Sequence, residues 1–231
     1  MKNTLYTILA ICIAIVLSSC QANRFISSNF DSEISSHETI AVLPVEMIFT
    51  GNIPKDLTPE AVASIEEYES LEFQTSVYSS IIRSTKRGKK PLVVSLQSKQ
   101  ETNSRLAEAG ISVRESWIMN PTDLAKVLGV NAVVSTKITK ERFLSDASSY
   151  GIDLGVRILA DATGTAGLPV ANRLNRTYQI DVDVSAVSAN TGNVLFSNRD
   201  LISIDWQSTP EQAIERVNRR LIRKFPYSKK K

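Results

Sequence analysis

The stretch from residue 128 to residue 139, LGVNAVVSTKIT, constrains the fold more than any other part of the chain. It begins as the end of a short helix that Gly129 stops, and it continues as a strand. Residues 130–134 are apolar except for Asn131, which is typical of a strand covered on both faces. After Val134 apolar and polar residues alternate. We therefore expect this strand to lie inside a sheet, with other strands and helices around it.

Residues 1–19 have the features of a signal peptide that is removed on export. Lys2 supplies the positive end, and residues 5–17 form an apolar run that is short for a bilayer span. The run ends in a motif that resembles the bacterial lipobox and consists of Leu17, Ser18, Ser19 and Cys20. An ordinary secretory signal with a chance cysteine is the alternative. Because position, small residues and cysteine all agree, we predict cleavage before Cys20 and its acylation, palmitate included.

The cysteine count limits the chemistry of the mature chain. Cys12 lies in the removed run, so Cys20 is the only cysteine left. If Cys20 carries lipid, the chain has no disulfide, no thiol nucleophile and no cysteine metal site. Its stability must come from core packing, and about 200 residues are enough for one domain.

Charge and the residue after Cys20 indicate where the protein works. Loss of Lys2 leaves 26 of the 27 basic residues against 24 acidic ones, a balance that argues against a nucleic-acid partner. Multiple acyl chains would hold the protein on a lipid bilayer. Gln21 stands where inner-membrane lipoproteins carry Asp, so we expect the periplasmic face of the outer membrane. Residues 20–39 are predicted to be the acylated cysteine and a flexible tether, and residues 40–228 a single domain.

The first half of this domain alternates strands with helices. A first strand is expected at residues 39–45, with Pro44 marking its exit from the sheet, and a polar loop follows at residues 50–57. A second strand is expected at residues 92–96. Helices open with a capping residue followed by proline at the first helical position, where the missing N–H costs nothing. These pairs are Thr58 with Pro59, Asn120 with Pro121, and Thr209 with Pro210, and Ser98 with Glu101 has the spacing of a capping box. This order predicts parallel strand pairing.

The second half predicts an antiparallel hairpin. Residues 176–188 alternate strictly, residues 190–193 are turn formers, and residues 194–204 supply the returning strand. A helix over residues 209–224 follows. The sequence therefore predicts an α/β fold with a mixed sheet, a parallel βαβ start and an antiparallel C-terminal hairpin.

Three short motifs behind the lipobox carry a family resemblance. The strands IAVLP at residue 40 and LGVNAVV at residue 128, with TGNVL at residue 191, occur in this order. The chain resembles the CsgG-like lipoproteins of curli secretion channels and their relatives with a fold of the TolB N-terminal type. Periplasmic activators of penicillin-binding proteins are among those relatives. The resemblance covers most of the mature chain and implies a fold much more than a function.

Few residues offer chemistry. His37 is the only histidine and is expected to be a solvated residue of the tether, which leaves no base for a serine nucleophile and no histidine metal site. Asp181 and Asp183 point to one side of a strand, but two carboxylates are too few for Ca²⁺. We expect no catalytic residue, no metal and no cofactor, so the protein is not predicted to be an enzyme.

The basic C-terminal segment has two interpretations. Its basic residues would suit anionic head groups or glycan, and they are Arg216, Arg219, Arg220, Arg223, Lys224 and Lys229 to Lys231. A solvated helix face is the alternative, with Glu215 and Arg219 as an ordinary i,i+4 pair. We favour the solvated face, because interfacial helices usually have larger apolar anchors.

The segment over residues 149–163 is a possible membrane or partner segment. Its alternating apolar residues include Tyr150, Ile152, Leu154, Val156 and Ile158. Strands of outer-membrane barrels alternate in this way, and the curli channel has a membrane hairpin in the corresponding interval. Helical spacing fits the same residues, which leaves a soluble helix or loop as the alternative. A curli-type protomer supplies two such hairpins, and this chain has room for one, so we expect the segment to pack on the domain.

These observations together predict a non-catalytic accessory or assembly lipoprotein of the cell envelope that binds another protein or itself. A pore-forming protomer of a curli-like export channel is the alternative function.

Overall fold

The computed structural model describes residues 24–51, 53, 57–87, 92–142, 178–204, 215–217, 219 and 225–227. The strands are β1 (Arg24–Ile26), β2 (Thr39–Val42), β3 (Glu46–Gly51), β4 (Ser95–Leu96), β5 (Ala132–Arg142), β6 (Tyr178–Ser188) and β7 (Val194–Ile204). The helices are α1 (Phe30–Ile34), α2 (Pro59–Arg87), α3 (Lys99–Glu108), α4 (Val113–Ile118) and α5 (Pro121–Leu128).

The strands form one mixed sheet in the order β1-β7-β6-β5-β2-β4, and β3 also pairs with β5. β2 is parallel to β4 and to β5, and β3 is parallel to β5. β6 is antiparallel to β5 and β7, and β1 is antiparallel to β7. The predicted α/β class, with its parallel start and antiparallel hairpin, is confirmed.

β5 is the central strand that the sequence predicts. It pairs with β6 along its whole length on one side, and with β2 and then β3 on the other. Ala132, Val133 and Val134 are all nearly inaccessible, so both faces of the strand are covered at its start. Beyond Val134 only alternate residues, Thr136 and Ile138, are buried. Among the described residues, nothing buries the other face of the strand from Ser135 onward.

The chain does not leave the sheet at Pro44, contrary to the sequence prediction. Val42 pairs with Val134, and Glu46 pairs with Lys137. The four residue steps from Val42 to Glu46 therefore lie opposite only three residue steps of β5. The extra residue bends the chain between β2 and β3, much as a β-bulge does. Pro44 has no N–H to donate and lies within this bend. β3 then continues alongside β5 through part of the predicted polar loop.

Helices cover the two sides of the sheet to different extents. On one side, Phe73, Val77 and Ile81 of α2 are buried together with side chains from β2, β3, β5, β6 and β7. On the other side, α3 and α5 pack only on residues near the bend, the start of β5 and the end of β6. The second cluster takes Ala41, Val133 and Val187 from the strands and Leu43 from the bend.

Two helix starts illustrate how local sequence sets the elements. Asn120 caps α5 through Thr122 N–H, with Pro121 at the first position, as predicted. Ser98 accepts from Glu101 N–H, but the Glu101 carboxylate binds Arg105 instead of closing the predicted capping box. A complete capping box is found at Ser112, where it opens α4, a helix that the sequence analysis does not assign.

Residues 24–38 belong to the folded body, so the prediction of a flexible tether over residues 20–39 is wrong for this part. Phe25 pairs with Ser197 through β1 and β7, and Ser27 N–H donates to Leu195 O at 2.9 Å. Phe30 and His37 are both buried, which also contradicts a solvated His37. A few apolar side chains among many serines hold the segment, because they meet partners that lie far away in sequence.

Candidate partner-binding face

The second side of the sheet is uncovered, within the described part of the chain, beyond the contacts of α3 and α5. Residues that pair directly across neighbouring strands project to the same side. The register thus sets four charged residues side by side across β3, β5, β6 and β7. This row, termed the charge row, consists of Glu46, Lys137, Asp183 and Arg199. Its charges alternate in sign from one strand to the next.

Two ion pairs satisfy most of these charges. Lys137 Nζ lies 2.7 Å from Glu46 Oε1. Arg199 reaches diagonally to Asp181, with its Nε 3.0 Å from Asp181 Oδ1. Asp183 makes no ion pair with any residue that the structure describes. Within the charge row, Asp183 is therefore the carboxylate that no described cation pairs with.

The two carboxylates of β6 differ in their acid–base behaviour. Hydrogen bonds from Arg199 lower the pKa of Asp181 below its ordinary value. Partial desolvation raises the pKa of Asp183, with the Asp181 charge adding to this effect and Arg199 and Lys137 opposing it. A cation that bound Asp183 would lower that pKa again, so binding and ionisation of this group favour each other.

A pocket of about 380 Å³ opens beside the charge row. Its lining includes Ser135, Ser185 and Ser197, which pair in one line across β5, β6 and β7. Trp117 of α4 and Pro44 of the bend also line it. The pocket thus combines hydroxyl groups with an indole ring, next to the Asp183 carboxylate.

The wall of the pocket is held in place by α2. The Arg114 guanidinium lies 5.0 Å from the centroid of the Trp117 ring, a cation–π distance. Arg114 Nε is 2.9 Å from Glu67 Oε1, and the same guanidinium binds Glu66. These ion pairs fix α4 and its indole against the neighbouring helix.

Two large apolar side chains flank the charge row. Leu201 pairs with Asp181, and Phe25 pairs with Ser197, so both lie on the uncovered side. Leu201 is 54% exposed and Phe25 50% exposed. Exposed apolar residues beside a pocket and charged groups are the composition of a protein-binding surface.

The described residues offer binding groups more than reactive ones. No cluster of three or more His, Cys, Asp or Glu that could hold a metal ion lies among them. His37 stacks on Tyr227, which belongs with Phe30 to the core cluster on the other side of the sheet. Of the helices that the structure describes, none is both long and apolar enough to cross a membrane.

The predicted site residues fall into two groups. Leu17, Ser18, Ser19 and Cys20, and Tyr150 through Ile158, lie outside the described residues, so lipid attachment and the membrane or partner segment stay predictions. Asp181 and Asp183 do project from the open face of the hairpin, as predicted. Arg219 binds Glu215 at 2.8 Å on an exposed helical segment, which confirms the predicted i,i+4 pair.

Sequence reasoning missed most of the charge row. Its members come from four strands that are distant in sequence, and only the alternation around Asp183 signals one of them. The side of β5 that carries Lys137 is visible in the switch from continuous to alternating apolar residues. Nothing in the local sequence indicates that Glu46 would return to that strand.

Comparison with known proteins gives likenesses of fold only. No family model and no curated protein matches the chain. Among solved structures, lipoprotein GNA1162 from Neisseria meningitidis matches with a TM-score of 0.42 and 10% identity, over 78% of this chain and 92% of that one. The LpoB C-terminal domain from Salmonella enterica matches with a TM-score of 0.30 and 12% identity, over 75% and 91%.

A third solved structure is the PelC dodecamer from Paraburkholderia phytofirmans, with a TM-score of 0.33 and 11% identity, over 80% of this chain and 83% of that one. At these scores and identities, the likenesses carry no argument about what this chain binds.

Proposed function

We propose that the protein is a lipoprotein held by acylated Cys20 on the periplasmic face of the outer membrane. There it acts as a non-catalytic accessory of envelope assembly or secretion by binding another envelope protein. The lipobox supports the anchor. The sheet face that no described element covers supports the binding role. Asp183, which lines the pocket and makes no ion pair with a described residue, is the observation that carries it. A fold of the CsgG or TolB N-terminal type is part of the same proposal.

The charges of the face indicate the chemistry of the partner. Glu46, Asp181, Asp183 and Glu141 are four negative charges against the two positive charges of Lys137 and Arg199. A basic side chain of the partner would supply the counter-charge that Asp183 lacks among the described residues. An apolar side chain next to it would cover Leu201. The partner surface is therefore basic and apolar, and a second copy of this chain is the competing occupant.

The test uses the full chain extracted from membranes in detergent. The wild type, Asp183→Asn and the matched control Asp123→Asn, an exposed carboxylate on α5, are compared for recovered partner protein. Loss of one charged contact at an interface weakens binding by about tenfold. We expect Asp183→Asn to lose the partner, whereas Asp123→Asn retains it.

Equal recovery with all three proteins would contradict the binding role. Recovery of this chain alone, as a defined oligomer that Asp183→Asn dissociates, would identify the second copy as the occupant. The anchor is tested in the same extraction, because Cys20→Ala should not acquire palmitate. Palmitate on that variant, or wild type released without detergent, would contradict the anchor and leave the binding result intact.

A further inference from the structure

The only histidine of the chain, His37, is buried where the N-terminal segment contacts the C-terminal residue Tyr227. His37 Nδ1 lies 3.1 Å from the hydroxyl oxygen of Tyr227. The two rings are stacked, with centroids 6.0 Å apart. His37 is 6% exposed and Tyr227 is fully buried. A titratable ring therefore closes a contact between residues 190 positions apart.

Other side chains of the same segment make contacts around this histidine. Phe30 packs edge-on against Tyr227 at 5.5 Å. Glu33 accepts hydrogen bonds from Thr191 Oγ1 at 2.8 Å and from Asn193 Nδ2 at 3.2 Å. This set, termed the N-terminal clasp, consists of Phe30, Glu33 and His37 with Tyr227, Thr191 and Asn193. It fixes α1 on the body, and β1 lies directly before it.

The clasp suits a neutral imidazole. The Tyr227 hydroxyl either donates to Nδ1 or accepts from it, so this hydrogen bond satisfies Nδ1 in either tautomer. An imidazolium brings a charge and a second obligatory donor into a site lined by Phe30 and Tyr227. The described C-terminal residues 225–227 add no charge, and burial raises the pKa of Tyr227, which keeps its hydroxyl neutral.

The single charged group that acts on His37 among the described residues is Glu33. Burial lowers the pKa of His37, and the Glu33 carboxylate opposes this only in part. Hydrogen bonds from Thr191 and Asn193 lower the pKa of Glu33, so it keeps its charge through mildly acidic conditions. Asp31 and Glu38 of the same segment are exposed.

We propose that protonation of His37 opens the N-terminal clasp and releases residues 24–38 from the body at mildly acidic pH. Without α1, the three residues of β1 are too few to stay paired on their own. The released segment of 15 residues can extend by up to about 50 Å. If Cys20 is acylated, as proposed above, the body then reaches further from the membrane. The release itself does not require the lipid.

The direction of the pH effect follows from linkage. The released segment holds His37 with an ordinary pKa of about 6.5, and the closed clasp holds it with a lower one. The clasp is therefore most stable above about pH 6.5 and weakens as the pH falls below it. Until the lower pKa is reached, each pH unit raises the ratio of open to closed clasp by up to about tenfold.

Amide hydrogen exchange on the full chain in detergent tests this proposal. Exchange is compared at pH 7.5 and 5.5, with times scaled for the intrinsic pH dependence. We expect peptides from residues 24–38 to lose protection by up to about tenfold between pH 7.5 and 5.5. Peptides from α5 should keep theirs. His37→Gln, which retains a hydrogen-bonding group but cannot be protonated, should show equal protection at both pH values.

Three outcomes of the exchange experiment would overturn the proposal. One is a wild type whose N-terminal peptides do not respond to pH, and another is His37→Gln responding as the wild type does. The third is simultaneous loss of protection in α5, which would indicate general unfolding. If His37→Gln fails to dock, proton NMR of the single imidazole decides, in protein purified without added histidines. Titration of folded wild type at or above about pH 6.5 would contradict the proposal.

Discussion

At the scale of single residues, Asn131 explains why a polar side chain interrupts the apolar run of the central strand. Its side-chain oxygen accepts from the N–H groups of Glu38 and Thr39, both at 2.9 Å. Its backbone N–H donates to Thr39 O, and its carbonyl accepts from Ala189 N–H. One residue thus joins the starts of β2 and β5 to the end of β6.

We expect Asn131→Ala to lower the free energy of unfolding by about 1–3 kcal/mol, because two backbone donors lose their acceptor. Asn131→Asp is the matched control, since it keeps an acceptor oxygen in the same place. Urea denaturation followed by circular dichroism measures both variants. An alanine variant as stable as the wild type would show that these hydrogen bonds contribute nothing net.

At the scale of secondary-structure elements, the end of α5 depends on Gly129. This residue has a φ of 63°, and its N–H donates back to the last turn of the helix. A Cβ placed there would lie 2.7 Å from Arg105 Nη1, and that guanidinium donates to Leu128 O. Gly110, which follows α3, has a φ of 73° with no heavy atom within 4 Å of such a Cβ.

Both Gly129→Ala and Gly110→Ala strain the backbone, at a cost of about 1 kcal/mol each. Gly129→Ala should cost more, because it also displaces Arg105 from Leu128 O. The difference between the two thermal midpoints measures this second effect. If Gly110→Ala proves at least as destabilising as Gly129→Ala, the contact with Arg105 has no energetic weight.

Local sequence predicts those elements whose signals are local. The starts of α2 and α5, the central strand and the antiparallel hairpin all follow from capping residues or from periodicity. β1 and α1 do not, because Phe25 and Phe30 are isolated apolar residues whose partners lie near residues 196 and 227. β3 is missed for a related reason. Pro44 resembles the end of a strand, and only the pairing of β3 with β5 shows that the chain bends there and continues in the sheet.

At the scale of the whole molecule, the uneven covering of the sheet creates the candidate site. α2 covers one side of the strands, whereas α3 and α5 cover only the region around the bend on the other. The charge row and the pocket lie on the remainder of that second side. The members of the charge row come from four strands, so this face exists only in the folded chain. Sequence alone indicates no more than its β5 and β6 portions.

The central claim is that this face binds a partner protein, and site-specific photo-cross-linking in intact cells tests it most directly. A photoreactive amino acid replaces Leu201 on the face, and in a second strain it replaces Val127 on the exposed surface of α5. We predict one discrete cross-linked product at position 201, absent at position 127 and lost when Asp183→Asn is added. No product at position 201, or the same products at both positions, would contradict the claim.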